Sequence, residues 1–135
     1  MKLSYEELVE IREIIKEIAR ACDDGAVIIV EGRSDEKALK EMGIHGEVRF
    51  ASISSDAEIV DSVRSRFVIL LTDWDYRGNK IEKELSRKLE LNGIAVDREY
   101  RKRLFRIVGK EVRTIEDIPK LIKKAEIELE WQGYI

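Results

Sequence analysis

Two uninterrupted apolar runs, Ala26-Val27-Ile28-Ile29-Val30 and Phe67-Val68-Ile69-Leu70-Leu71, constrain this chain more than any other feature. Neither alternates with polar residues, so each predicts a strand covered on both faces, as in a parallel sheet. Parallel strands cannot be joined by tight hairpins and need long crossovers, usually helices. The segments around the two runs carry helical spacing. Ser4 and Glu7 form a capping-box pattern before Leu8, Ile11, Ile15, Ile18 and Cys22, which predicts a helix over 5–22. Asp23-Asp24-Gly25 break it ahead of the first run.

Ser34 predicts the cap of a short helix over 35–42 with Ala38, Leu39 and Met42 inward and Gly43 at its end. Residues 48–51 read as a weaker strand, and Ser55 with Glu58 opens a helix over 56–64 with Ile59, Val60 and Val63 inward. Ile81, Leu85 and Leu89 predict a helix over 79–91 that Asn92-Gly93 terminates. Residues 94–96 read either as a short fourth strand or as the lead into a helix over 97–108, in which Tyr100, Leu104, Ile107 and Val108 share a face. A last helix spans roughly 115–130, with boundaries good to ~2–4 residues; it opens at Thr114 and Asp117 and tolerates Pro119 in its first turn. Together these elements predict an α/β, Rossmann-like three-layer fold of about four mainly parallel strands between helices.

At 135 residues, with no linker-like tract or internal repeat, the chain reads as one domain over 1–135. No apolar run reaches the ~18 residues of a membrane span, the first residues do not resemble a secretory signal, and the single cysteine, Cys22, forms no internal disulfide. A cytoplasmic protein is the expectation. Scarce amides (Gln132, Asn79, Asn92) beside abundant Glu, Lys and Arg resemble a thermophile composition. The net charge of -3 argues against a nucleic-acid partner only while the chain is taken whole. Residues 77–113 hold 12 Lys and Arg against 6 Asp and Glu, with the densest cluster at Arg98, Arg101, Lys102, Arg103 and Arg106. The basic segment 77–113 is thus either a solvated helix face or a phosphate-tracking surface, for RNA or DNA alike.

Ligands of open parallel sheets bind at the carboxyl ends of the strands. There the first run ends in Glu31-Gly32-Arg33-Ser34-Asp35 and the other buried run in Thr72-Asp73-Trp74-Asp75-Tyr76-Arg77-Gly78. Neighbouring strands would bring Glu31 and Asp73 together, and Asp75, two residues on, can face the same site. Converging carboxylates repel one another unless a counter-charge is present. A hard divalent cation, Mg²⁺ or its substitute Mn²⁺, meets that need with oxygen ligands. One His and one Cys offer no zinc site. Gly32 and Gly78 read as tight-turn or close-approach glycines, and Arg33, Lys37, Arg77 and Lys80 lie near enough in sequence to pair with phosphate. Asp35 is as readily an ordinary first-turn acid as a site residue. Trp74 is expected to point away from the acids and pack, His45 to face solvent, Tyr76 to be a surface aromatic or a stacking platform, and Trp131 and Tyr134 to dock on the body or a second subunit.

The pairing of apolar strand, Glu31-Gly32-x-x-Asp35 with apolar strand, Asp73-x-Asp75-x-x-Gly78 resembles the Toprim domain of topoisomerases, primases and several nucleases. The stretch from Leu70 to Ile81 is most similar to the Toprim ribosomal-RNA maturation nuclease, and the size to small stand-alone archaeal Toprim proteins. The resemblance covers about residues 24–96, leaving an N-terminal helix and C-terminal helices over 97–130 as extensions. It implies that Asp73 and Asp75 hold Mg²⁺, that Glu31 is a metal ligand or general acid/base, that Asp35 supports them, and that Gly32 and Gly78 shape the turns. Arg77 stands where the topoisomerase form carries a third Asp. The implied activity is Mg²⁺-dependent hydrolysis or transfer at nucleic-acid phosphodiester bonds; the alternative is a non-catalytic nucleic-acid-binding or assembly module that keeps the metal site. Haloacid-dehalogenase-like and receiver folds fit less well, since their acids follow a different strand or need a lysine that has no candidate here.

Overall fold

The computed structural model describes residues 3–135. Helix α1 (Tyr5–Asp23) opens on the expected capping box, in which Ser4 Oγ accepts from the Glu7 amide and Glu7 accepts from the Ser4 amide. Its buried stripe is Leu8, Ile11, Ile14, Ile18 and Cys22; Ile14 takes the inner position expected of Ile15. Strand β1 (Val27–Val30) is wholly buried, and α2 (Arg33–Glu41), β2 (Glu47–Phe50) and α3 (Asp56–Ser62) follow. Strand β3 (Val68–Leu70), α4 (Tyr76–Leu91), β4 (Val96–Asp97) and α5 (Glu99–Val108) come next. A 3-10 turn (Ile115–Asp117) then leads into α6 (Ile118–Trp131).

The four strands form one parallel sheet in the order β2-β1-β3-β4. Side chains alternate across it, as strand geometry requires. Ile28, Val30, Ile69 and Leu71 face a core built with α1, α2, α5 and α6. Val27, Ile29, Val68 and Leu70 face the opposite core, with Ile59 and Val60 of α3 and Leu85 and Leu89 of α4. The fold is therefore the expected α/β sandwich of three layers. Residues 94–96 do lead into a strand, and β4 pairs with β3 through Val68↔Val96 and Ile69↔Asp97.

Two helices start earlier than their spacing predicts. Helix α2 begins at Arg33 with Gly32 at the N-cap, not Ser34, because the Asp35 carboxylate reaches back to the Gly32 amide at 3.1 Å. Helix α4 begins at Tyr76, since Asp75 caps it by accepting from the Gly78 amide at 2.7 Å. Gly78 thus lies inside the first turn and does not precede the helix. At α6 the Thr114 hydroxyl donates to Asp117 at 2.8 Å, and no side chain caps the helix.

Candidate metal centre

In the order β2-β1-β3-β4, the chain leaves β1 toward one neighbour and returns on the other side as β3. Such a reversal opens a crevice at the carboxyl ends of the two strands, the usual ligand position in open α/β sheets. Glu31 directly follows β1, and Asp73 lies three residues beyond β3. Asp35 enters from the first turn of α2, turned inward by its bond to the Gly32 amide. One carboxylate oxygen from each of Glu31, Asp35 and Asp73 lies within 4.8 Å of the others. Asp35 and Asp73 are buried and Glu31 is half-buried.

The backbone around the acids is pinned from several directions. The Glu31 carbonyl accepts from the Ser52 hydroxyl and from the Ser52 amide, which ties the end of β1 to the segment after β2. Asp73 Oδ1 accepts from the Ile115 amide at 2.8 Å. The buried Arg101 guanidinium of α5 donates to the Thr72 carbonyl at 2.9 Å, the Asp73 carbonyl at 2.5 Å and Asn79 Oδ1 at 2.7 Å. Trp74 is buried, stacks on Phe105 with ring centroids 5.7 Å apart, and donates from Nε1 to the Arg101 carbonyl at 3.2 Å. It points away from the acids and packs, as expected. The Thr72 hydroxyl donates to the Gly78 carbonyl at 2.8 Å. A Cβ on Gly78 would lie 2.0 Å from the Asp73 carbonyl oxygen, so α4 can approach the loop only with a glycine there. Gly32 has no such role: its backbone is extended and a Cβ would meet nothing closer than the Ser52 hydroxyl at 3.7 Å.

Electrostatics follow from this crowding. Burial pushes the Glu31 carboxyl up to about 8, helped by Asp73 and then by Asp75 and Asp35. Burial pushes Asp35 up to about 6, with Asp73 adding to it and the Gly32 amide opposing. Glu31 Oε1 is the buried side-chain polar atom without a hydrogen-bond partner among the described residues. A carboxyl–carboxyl contact with Asp73 becomes a hydrogen bond only while a proton is held between them. Arg101 is a buried positive charge that interacts with Glu31 and Asp73, but its donors are spent on backbone carbonyls and Asn79. The donor set is all oxygen, it carries excess negative charge, and one buried oxygen lacks any donor. That combination fits a hard divalent cation.

The sequence-derived site residues fall into two groups. Glu31 and Asp73 come together, and Asp35 joins them as a full member. Asp75 is exposed at the mouth of the crevice, close enough to raise Glu31, with one oxygen engaged as the cap of α4. Arg33 is exposed with its guanidinium 5.1 Å from the Phe50 ring centroid, and Lys37, Arg77 and Lys80 are exposed without an ion pair among the described residues. The dense basic cluster of α5 does not form one free surface. Arg98 pairs with Glu82 at 2.6 Å, Arg103 with Glu17 at 2.9 Å, Lys102 with Glu99 at 3.7 Å, and Arg101 is buried. His45 is exposed, Cys22 is buried, and Tyr134 stacks on Tyr5 with centroids 6.2 Å apart while Trp131 stays exposed. Arg101 and the Ile115 amide are the site components the sequence reading lacked. Arg101 did leave a signal: it occupies the i, i+3, i+7 stripe with Leu104 and Val108, where a base is out of place unless it has buried partners.

The fold and the crevice define a parallel α/β protein with an oxygen-only acidic centre at the switch point of its sheet. The chain is 34% identical over 112 residues to a UPF0292 protein of Archaeoglobus fulgidus, covering 83% of this chain and 89% of that one. It is 30% identical over 129 residues to a UPF0292 protein of Methanosarcina barkeri (94% and 90% covered) and 35% over 122 residues to one of Thermococcus gammatolerans (90% and 87%). The chain belongs to the UPF0292 family. Among solved structures it is similar to an Aquifex aeolicus protein, with a TM-score of 0.68 and 34% identity over 78% of this chain and 94% of that one. No protein-family model matches.

Proposed function

We propose that this chain is a Toprim-type protein that binds a divalent cation, Mg²⁺ or Mn²⁺, and acts on nucleic-acid phosphodiester bonds. The observation that carries the reading is the buried, unpartnered Glu31 Oε1 within an oxygen-only cluster of three acids. Glu31, Asp35 and Asp73 would hold the cation, with Asp75 adding negative charge at the mouth. Bound there, the cation would supply Lewis-acid polarisation of a phosphate oxygen.

The chain's own groups have distinct tasks in this reading. Asp73 is held in one orientation by the Ile115 amide, which leaves its second oxygen free to ligate. Arg101 fixes the peptide that carries it. Glu31, pushed up to about 8, keeps a proton near neutrality in the metal-free protein. Protonated, it can serve as general acid toward a leaving oxygen beside a cation held by Asp35 and Asp73; deprotonated, it would be the third ligand, and the two roles exclude one another within one step. The phosphate-side charges are the uncommitted Lys37, Arg77 and Lys80.

The test is Mg²⁺- or Mn²⁺-dependent cleavage of a panel of single-stranded, duplex and structured RNA and DNA, run beside Glu31→Gln and Asp73→Asn. Cleavage that needs the metal and disappears in both variants is expected. Equal residual cleavage in wild type and variants refutes the site. Salt-sensitive binding without turnover under any metal selects the non-catalytic module instead.

A further inference from the structure

We infer that the outer face of α4 is a track for single-stranded nucleic acid, leading away from the acidic crevice; this rests on the nucleic-acid reading above. Tyr76, Lys80, Lys83 and Arg87 occupy positions i, i+4, i+7 and i+11, which puts them on one stripe of the helix. All four are exposed, Tyr76 to 84%. None of the three cations forms an ion pair among the described residues. Several other cations of the basic segment are committed elsewhere: Lys88 to Asp56, Arg98 to Glu82, Arg103 to Glu17 and Lys110 to Glu7. The stripe is therefore charge that the fold does not consume.

The surface along it is concave. One hollow of about 460 Å³ is lined by Tyr76, Asn79, Lys80, Lys83, Glu84 and Arg87. A second, of about 480 Å³, shares Lys83 and Arg87 and continues over Ser86, Glu90 and Leu91 to Arg98. From Tyr76 to Arg87 the track runs about 16 Å along the helix axis, with a cation every ~4.5–6 Å. Each hollow holds a single acid, Glu84 in the first and Glu90 in the second, against three bases, so the lining stays net positive. A linear polyanion matches this charge pattern.

Tyr76 decides which polyanion. It starts the track, one residue after the acid at the crevice mouth, and its ring makes no stacking or cation-π contact among the described residues. An exposed ring beside a run of cations offers a stacking platform to an unpaired base. Bases inside a duplex present no free face, so a double helix would use the cations and leave Tyr76 idle. The occupant is a single strand whose phosphates lie over Lys80, Lys83 and Arg87 while one base stacks on Tyr76.

Fluorescence anisotropy of the full-length protein in chelator, with a labelled oligo(dT), an oligo(U) and a duplex, tests this across a salt series. Single strands are expected to bind more tightly than the duplex. The double variant Lys83→Glu, Arg87→Glu should lose at least tenfold in affinity and flatten the salt slope by about 1.4, from two lost phosphate contacts. Tyr76→Ala should weaken single-strand binding roughly 5- to 150-fold, and Tyr76→Phe should retain it. Equal affinity for duplex and single strand, or no effect of Tyr76→Ala, overturns the track. Thermal shifts with Mg²⁺ separate the two readings. Wild type that answers to Mg²⁺ but binds no single strand refutes the track alone. Single-strand binding that needs α4, without any Mg²⁺ response, refutes the metal centre and leaves the track standing.

Discussion

Replacing Glu31 by Gln should stabilise the metal-free protein at alkaline pH while removing its response to divalent cations. The carboxyl of Glu31 rises from an ordinary 4.5 to about 8, first through burial and then through Asp73, Asp75 and Asp35. A carboxyl with a raised folded-state pKa binds more protons folded than unfolded between those two values. Stability therefore falls as pH climbs from about 4.5 to about 8 and levels off above. Asp35 acts in the same sense up to about 6. At ~1.4 kcal/mol per pKa unit the Glu31 shift alone approaches 5 kcal/mol, and the half-exposed side chain reduces this to about 2–3 kcal/mol. Gln has no proton to lose, and its amide can donate to Asp73. In chelator at pH 8.5 Glu31→Gln should be about 2–3 kcal/mol more stable than wild type, a rise in Tm of roughly 6–12 °C for a domain of this size. The gap should close toward pH 5. Saturating Mg²⁺ at about 100 times its Kd should then add ~2.7 kcal/mol to wild type and little to the variant. Scanning calorimetry over pH 5–9, with and without Mg²⁺, reads all of this. A variant no more stable than wild type at pH 8.5, on a parallel pH profile, would refute the claim that these acids are crowded against one another.

Four further substitutions, at three positions, probe the supports. Gly78→Ala puts a methyl 2.0 Å from the Asp73 carbonyl oxygen, so urea denaturation should show a loss of about 1–3 kcal/mol or more, with weaker Mg²⁺ binding; an unchanged midpoint would contradict the close approach. Arg101→Met strands two backbone carbonyls and removes the buried counter-charge, for an expected loss of about 3–5 kcal/mol. Arg101→Lys should recover only part of this, because an ammonium cannot span the Thr72, Asp73 and Asn79 oxygens together; full recovery would reduce Arg101 to a point charge. Ser4→Ala opens the capping box of α1 and should cost about 1 kcal/mol by thermal melting without altering the Mg²⁺ response.

How far the sequence carried the structure depends on what kind of signal each feature leaves. The two apolar runs located β1 and β3, and with them Glu31 and Asp73, because burial on both faces writes an uninterrupted pattern. Ser4 and Ser55 announced their helices because capping needs specific side chains. The spacing places the start of α4 too late because Gly78 looks like a helix breaker; in the fold it is the one residue small enough to pass Asp73. Asp35 looked like a routine first-turn acid, and it does serve as one through the Gly32 amide, yet the same bond aims it into the centre. Arg101 and Glu82 sit on apolar stripes, a conflict that marks buried charge but does not name its partner. The Ile115 amide left no trace, since a backbone donor looks the same at every residue. A count along the chain overstates the free charge of α5 for a related reason: ion pairs to Glu17 and Glu82 form across the fold and are invisible to it.

The bond from the Ile115 amide to Asp73 spans 42 positions, and the Arg101 bond to the Asp73 carbonyl spans 28. A ribosome therefore delivers the acids of β1 and β3 well before it delivers the groups that hold them. Until α5 and the turn at Ile115 have emerged and docked, Asp73 has neither its amide nor its guanidinium, and the carboxylates remain open to water. Contacts of such long sequence separation close late. The acidic centre is thus incomplete until the chain has passed residue 115, and a polypeptide stopped short of it carries the sheet's acids without the amide that orients Asp73.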